Sequence, residues 1–174
     1  MKRISIVFIS FWLAACTAAP DGIKPIKLFD LPRYLGTWYE IARLDHSFER
    51  GLDQVSAEYS LHENGSVKVL NKGFNVDDQR WEDAEGLASF VGDENIAHLK
   101  VSFFGPFYGA YIVFDLDDDY QTAYVTSYNK SYLWFLSRTP KVDERAMNRF
   151  INTVEAKGFE TEALIFVNQD NPPQ

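Results

Sequence analysis

Cysteine is nearly missing from this 174-residue sequence: Cys16 stands alone. An intrachain disulfide is therefore excluded, and no second thiol is left for nucleophilic or redox chemistry. Histidine is scarce, with His46, His62 and His98 scattered over a strand end, a hairpin and a turn. No HExxH pair, Ser-Gly elbow or glycine-rich phosphate loop accompanies them, so the usual marks of hydrolases and nucleotide enzymes are lacking. Basic residues are in deficit: Lys and Arg number 17 against 25 acids, a formal charge of −8. A chain of that sign lacks the basic face that nucleic acid requires, and anionic lipid surfaces repel it. No uninterrupted apolar run reaches the length of about 20 residues that a membrane-spanning helix needs.

What is present begins with an address. Met1-Lys2-Arg3 is a basic head, Ile4 to Ala15 an apolar run, and Leu13-Ala14-Ala15-Cys16 resembles the bacterial lipobox. That resemblance predicts a lipoprotein signal peptide over 1–15, removed before Cys16, and a triacylated, palmitate-bearing Cys16 as a membrane anchor. Thr17 follows where lipoproteins kept in the inner membrane usually carry Asp, so the outer membrane is the expected location. Removing the signal takes away Lys2 and Arg3 and no acid, so the formal charge of −8 becomes −10. Residues 16–28, with Pro20, Gly22 and Pro25, read as a lipid-anchored tether. Residues 29–174 are long enough for one domain with a substantial core.

Period-two alternation dominates that domain. Leu31 to Leu35 reads as a short helical turn before a strand from Thr37 to about His46, and Phe48 to Leu52 as a covering loop. Val55, Ala57, Tyr59 and Leu61 alternate with polar residues up to the Asn64-Gly65 hairpin signal. Further strands follow over Val67–Phe74, Trp81–Phe90 (with Gly86 suggesting a bend or bulge), Leu99–Phe103, Phe107–Asp115, Gln121–Tyr128 and Tyr132–Arg138. Asp117-Asp118-Asp119 reads as a solvated hairpin turn, not a cation site. The period then changes: Ala146, Met147, Phe150, Ile151 and Val154 mark one amphipathic helix, with Asp143 able to cap its start and Gly158 its end. A last short strand spans Ala163 to Val167. A meander of short strands joined by tight turns predicts an all-β, up-and-down barrel.

These residues carry a resemblance. Gly36-Thr37-Trp38-Tyr39 matches the Gly-x-Trp-Tyr motif of the lipocalins, Asp117 and Tyr120 to Val125 resemble their second motif, and Ser137-Arg138-Thr139-Pro140 their third. Eight strands, one helix and one further strand follow the lipocalin order from Leu31 to about Val167. Trp38 to Arg43, Arg50-Gly51-Leu52 and Val101 to Gly109 resemble the bacterial outer-membrane lipoproteins of that family, which are related to apolipoprotein D. The resemblance implies an eight-stranded antiparallel lipocalin β-barrel with one C-terminal α-helix and a short final strand. It implies fatty acids and lysophospholipids as ligands, lipid storage or transport in envelope maintenance or stress, and a homodimer. Some lipocalins are isomerases that use a barrel thiol, but no cysteine lies in this barrel, so a binding module without enzymatic activity or cofactor is expected. A pigment or haem binder of the same fold, or an envelope scaffold, is the alternative; no histidine reads as clearly inward to serve haem.

Small barrels either fill their interior or hold one ligand. Trp38 is expected to plug the floor, stacked on Arg138 next to Gly36. With Trp38 inward, period two places Glu40, Ala42 and Leu44 inward as well. Glu40 is either half of a buried ion pair or tyrosine hydrogen bond, or a polar anchor for ligand. The other inward sets are expected to be Val55, Ala57, Tyr59; Val67, Val69, Asn71; Ala84, Gly86, Ala88, Phe90; Leu99, Val101, Phe103; Tyr124, Thr126, Tyr128; and Tyr132, Trp134, Leu136. Gly105-Pro106 leaves the parity of the next strand open between Tyr108/Ala110/Ile112 and Tyr111/Val113. The resemblance favours Tyr108 and Trp134 as wall residues. The candidate ligand contacts are thus Glu40, Ala42, Leu44, Val55, Ala57, Tyr59, Val69, Ala88, Val101, Phe103, Tyr124 and Trp134, with Tyr108 and Tyr111 from the strand of open parity.

Overall fold

Alternation at period two builds the strands, and a computed structural model shows how they close; it describes residues 17–170. The expected signal peptide over 1–15, Cys16 and the last four residues lie outside the described residues. A short helix α1 (Leu31–Tyr34) leads into β1 (Gly36–Leu44), followed by β2 (Leu52–Leu61), β3 (Val67–Asn75), β4 (Arg80–Phe90), β5 (His98–Ser102), β6 (Gly109–Leu116), β7 (Thr122–Thr126) and β8 (Leu133–Ser137). Each strand pairs antiparallel with the next, and β1 pairs with both β2 and β8, which closes an eight-stranded barrel. Helix α2 (Glu144–Ala156) and a strand β9 (Leu164–Phe166) complete the chain, with β9 paired to β1 outside the barrel.

Local chemistry explains the corners. At the Asn64-Gly65 hairpin, Asn64 Oδ1 accepts the Ser66 N–H at 3.0 Å, and the His62 N–H donates to the Ser66 carbonyl at 2.8 Å. The Asp143 carboxylate accepts the Ala146 N–H at 2.8 Å and caps α2. β1 pairs with β2 through Tyr39 only; beyond that point β9 takes β2's place against Ala42–Leu44. The opening between β1 and β2 is bridged by Gln169, whose Nε2 donates to the Glu40 carbonyl at 2.8 Å and to the Val55 carbonyl at 2.7 Å.

Two apolar layers result. The inner one holds Trp38, Tyr59, Val69, Ala88, Val113 and Val125 among others, inside the barrel. The outer one lies between sheet and helix: Phe135 and Phe150 stack at 4.7 Å, and Tyr124 meets Phe150 at 5.0 Å. Burying Phe150 and Val154 contributes about 1.5–3 kcal/mol each, which holds α2 on the wall.

Two expectations are corrected at this level. Gly86 is no bulge, since β3 and β4 stay in register past it; the register shifts lie instead at Glu40/Ala42, Asp53/Ser56 and Val113/Asp115. Gly86 is small for another reason: a Cβ there would stand 2.9 Å from the Phe103 ring, which rests on it. The stretch read as a tether also does not hang loose. Ile23 is buried against the outer layer, Lys27 bridges to Ile96, and the Ile26 N–H donates to the Val113 carbonyl at 2.9 Å.

Candidate functional site

The barrel is closed below. Arg138 lies over Trp38 with its guanidinium carbon 4.0 Å from the ring centroid, and it donates to the carbonyls of Thr37 (2.9 Å), Arg33 (2.8 Å) and Leu35 (2.9 Å). The Trp38 indole N–H donates to the Tyr34 carbonyl at 2.8 Å. Gly36 is required here, because its φ is +94° and a Cβ would sit 3.4 Å from Arg138 Nη1. Above Trp38, Tyr111 Oη lies 2.7 Å from Tyr34 Oη and 2.8 Å from Tyr59 Oη. Burial pushes all three phenols up, so the cluster is neutral and made of hydroxyl hydrogen bonds.

Higher up, β1 breaks its alternation. Glu40 opposes Leu136, and after the bulge at Ile41 it is Ala42 that opposes Phe135 and Arg43 that opposes Trp134. Arg43, not Ala42, therefore points inward. Its Nη1 donates to Glu40 Oε1 at 2.7 Å, with both side chains 3% exposed, which settles Glu40 as half of a buried ion pair. Arg43 Nη2 donates to the Glu49 and Leu52 carbonyls at 3.0 and 2.9 Å and so ties the β1–β2 loop to the mouth. Glu49 Oε2 accepts the Trp134 indole N–H at 3.0 Å and lies 3.0 Å from His46 Nε2. His46, a strand-end residue that the sequence did not place clearly inward, is buried there, its ring 5.0 Å from Trp134 and 4.6 Å from Phe48.

The two carboxylates are pushed apart. Burial, then the Glu49 charge, raises Glu40 despite Arg43. Burial also acts upward on Glu49, but the His46 hydrogen bond and charge, Trp134 and Arg43 outweigh it, so Glu49 lies below the usual range. The signs follow from linkage. A depressed carboxylate contributes stability above its unfolded pKa of about 4.3, lost as pH falls through the folded value; a raised one contributes below it and is lost as pH rises. Glu49→Gln is therefore expected to flatten the acid limb of stability below about pH 4.3. Urea midpoints of parent and variant between neutral and acidic pH check this; parallel curves would show that Glu49 is not the group responsible.

The inward set is otherwise apolar. Val55, Ala57, Tyr59, Val69, Ala88, Val101, Phe103 and Tyr111 line the interior with Trp134. Whereas Trp38 is fully buried, Phe90, Val101, Phe103, Tyr111 and Trp134 keep exposed surface although they point into a closed barrel. These inward side chains are therefore not fully covered by protein.

Four candidate residues are placed elsewhere. Ala42 and Leu44 join the outer layer because of the Ile41 bulge, and Leu44 lines a groove of about 400 Å³ on the outer wall beside Lys130 and Gly158. Tyr124 opposes Phe135 and packs under α2, where Arg149 Nη1 donates to its hydroxyl at 3.1 Å and burial pushes its pKa to about 12. Val125, opposite Trp134, is inward in its place, so Thr126 faces out as well. Tyr108 precedes β6 on its outer face, with Lys100 Nζ 5.0 Å from its ring, while Tyr111 and Val113 resolve the open parity inward. Arg43, Glu49 and His46 were missed. The one signal in the sequence was a charged residue three positions from Glu40 in an otherwise apolar strand.

A closed eight-stranded meander with a capped floor, partly uncovered inward aromatic residues and a polar latch at its mouth is a small barrel of the kind that either fills its interior or holds one ligand. The family model described as "Lipocalin-like domain" matches residues 29–169, and the chain belongs to that lipocalin family. The chain is 48% identical over 170 residues to "Outer membrane lipoprotein Blc" of Vibrio cholerae serotype O1, covering 97% of this chain and 99% of that protein. It is 46% identical over 162 residues to the protein of the same name in Escherichia coli K12, covering 92% of each. Among solved structures, insecticyanin from the tobacco hornworm Manduca sexta superposes with a TM-score of 0.70 at 20% identity, covering 88% of this chain and 87% of that one. That likeness concerns the fold.

Proposed function

We propose that this protein is a lipid-anchored outer-membrane lipocalin that takes the acyl chain of a fatty acid or lysophospholipid into its barrel, for storage or transport in envelope maintenance. The observation that carries the reading is the partly exposed inward wall of Phe90, Val101, Phe103, Tyr111 and Trp134. An acyl chain covering that wall gains about 0.8 kcal/mol for each buried CH₂, enough for a long chain to bind by burial alone after the association cost. At the mouth a head group would meet Arg43, His46 and Glu49, where Arg43 Nε and His46 Nδ1 are buried without a hydrogen-bond partner among the described residues. The lipobox resemblance and the outer-membrane lipoprotein relatives support the anchor and the location.

Native mass spectrometry of protein extracted from the envelope is expected to show a co-purified acyl lipid. Titration of delipidated protein with fatty acid and lysophospholipid is expected to saturate at micromolar concentration. A barrel that stays empty in both measurements would sink the lipid reading. In a fractionated cell, Cys16→Ser is expected to move the protein from the membrane pellet to the soluble fraction.

A further inference from the structure

The open end of the barrel, opposite Trp38, is formed by four loops, and its two halves differ in chemistry. The half made by β1 to β4 carries the acids Asp45, Glu49, Asp77, Asp78 and Glu82. The half made by β5 to β8 carries none: no Asp or Glu occurs between Leu99 and Phe114, or between Tyr120 and Val142. In a chain of formal charge −8 this acid-free sector stands out. It also holds the most exposed aromatic residues of the rim. Phe104 and Phe107, in the β5–β6 loop, are 78% and 79% exposed, and Tyr108 and Tyr128 flank them in the open. Lys100 and Lys130 are the nearby charges, Lys100 lying along Tyr108. Phenylalanines in water with tyrosines and lysines beside them are the composition of a bilayer-interface contact.

The course of the N-terminal segment indicates what covers this patch. Ala19 and Ile23 pack on the outer layer, and the first described residue, Thr17, has its carbonyl oxygen 2.5 Å from His98 Nε2 on β5. From His98 to Ser102, where the aromatic loop begins, β5 runs about 13 Å at the usual rise. The described chain thus begins on the strand that leads into the Phe104 and Phe107 loop, and an anchor on the adjoining Cys16 would bring that side of the barrel to the bilayer.

From these juxtapositions we infer that the β5–β8 half of the rim, led by Phe104 and Phe107, docks on the phospholipid bilayer interface and holds the barrel mouth there. The inference rests on the proposed lipid-anchored reading for its orientation, but its test does not. The mature chain carrying Cys16→Ser has no anchor and is mixed with phosphatidylcholine vesicles in a flotation assay. Weak, reversible partition is expected, falling at least tenfold in F104S/F107S and unchanged in L61S, which alters an apolar residue 60% exposed at the closed end. Y128E, an acid placed in the same sector, gives a second reading and should fall likewise. A parent that does not float, or an F104S/F107S variant that floats as well as its parent, would overturn the inference. So would light scattering in which the phenylalanine pair controls a dimer while vesicle binding stays constant, which would assign the patch to a second copy. Acyl-lipid affinity is measured on the same proteins and should be unchanged in F104S/F107S. If the barrel binds no acyl lipid while flotation still depends on Phe104 and Phe107, the ligand reading fails and the docking surface stands.

Discussion

Arg43→Met is expected to lower the stability of the fold by about 3–5 kcal/mol, the cost of leaving a buried carboxylate without its partner. Glu40 is 2% exposed and has Arg43 as its ion-pair partner at 2.7 Å. The same guanidinium serves the Glu49 and Leu52 carbonyls, so the β1–β2 loop loses its tie to the mouth as well. The double variant Glu40→Gln/Arg43→Met separates the two effects. It removes the stranded charge and should recover most of the loss, remaining about 1–3 kcal/mol below the parent for the carbonyls left without donors. Urea denaturation of the parent, both single variants and the double variant measures the coupling as a cycle. If the double variant were as unstable as Arg43→Met, Glu40 would not be the group that Arg43 compensates.

Trp134→Lys is expected to weaken binding of a zwitterionic lysophospholipid by about 10–150-fold, the equivalent of losing about 1.5–3 kcal/mol of apolar burial. Trp134 stands on β8 under the β1–β2 loop, where its indole N–H donates to Glu49 at 3.0 Å. Lysine keeps a donor for that carboxylate, so the loop retains a partner while the flat apolar wall is lost. The urea midpoint should consequently move much less than the affinity. Unchanged affinity in a fluorescence titration would place the acyl chain elsewhere in the barrel and withdraw Trp134 from the pocket.

How far the site was legible depended on how each strand is built. Where a strand keeps strict alternation, as β3 and β5 do, Val69 and Val101 could be set inward from the sequence alone. β1 and β6 contain bulges, and one inserted residue sends every later side chain to the opposite face. Counting in twos through Ile41 thus put Ala42 and Leu44 inside when Arg43 is there. Tyr124 failed for a different reason. Its parity follows from the pairing of Val125 with Trp134, and that pairing is a contact between strands, invisible within either one. Glu49 and His46 sit in a loop with no period to read, and only the folded mouth brings them to Trp134.

The sequence by itself determined the closed meander, the capped helix, and Trp38 with Arg138 at one end, because alternation, turn chemistry and caps are local and repeat at fixed spacing. Tertiary structure decided which residues face the lumen beyond each bulge, who satisfies Glu40, and where the N-terminal segment lies. Those depend on strand register and on buried charges finding partners, and both are settled only when distant parts of the chain meet and water is excluded between them.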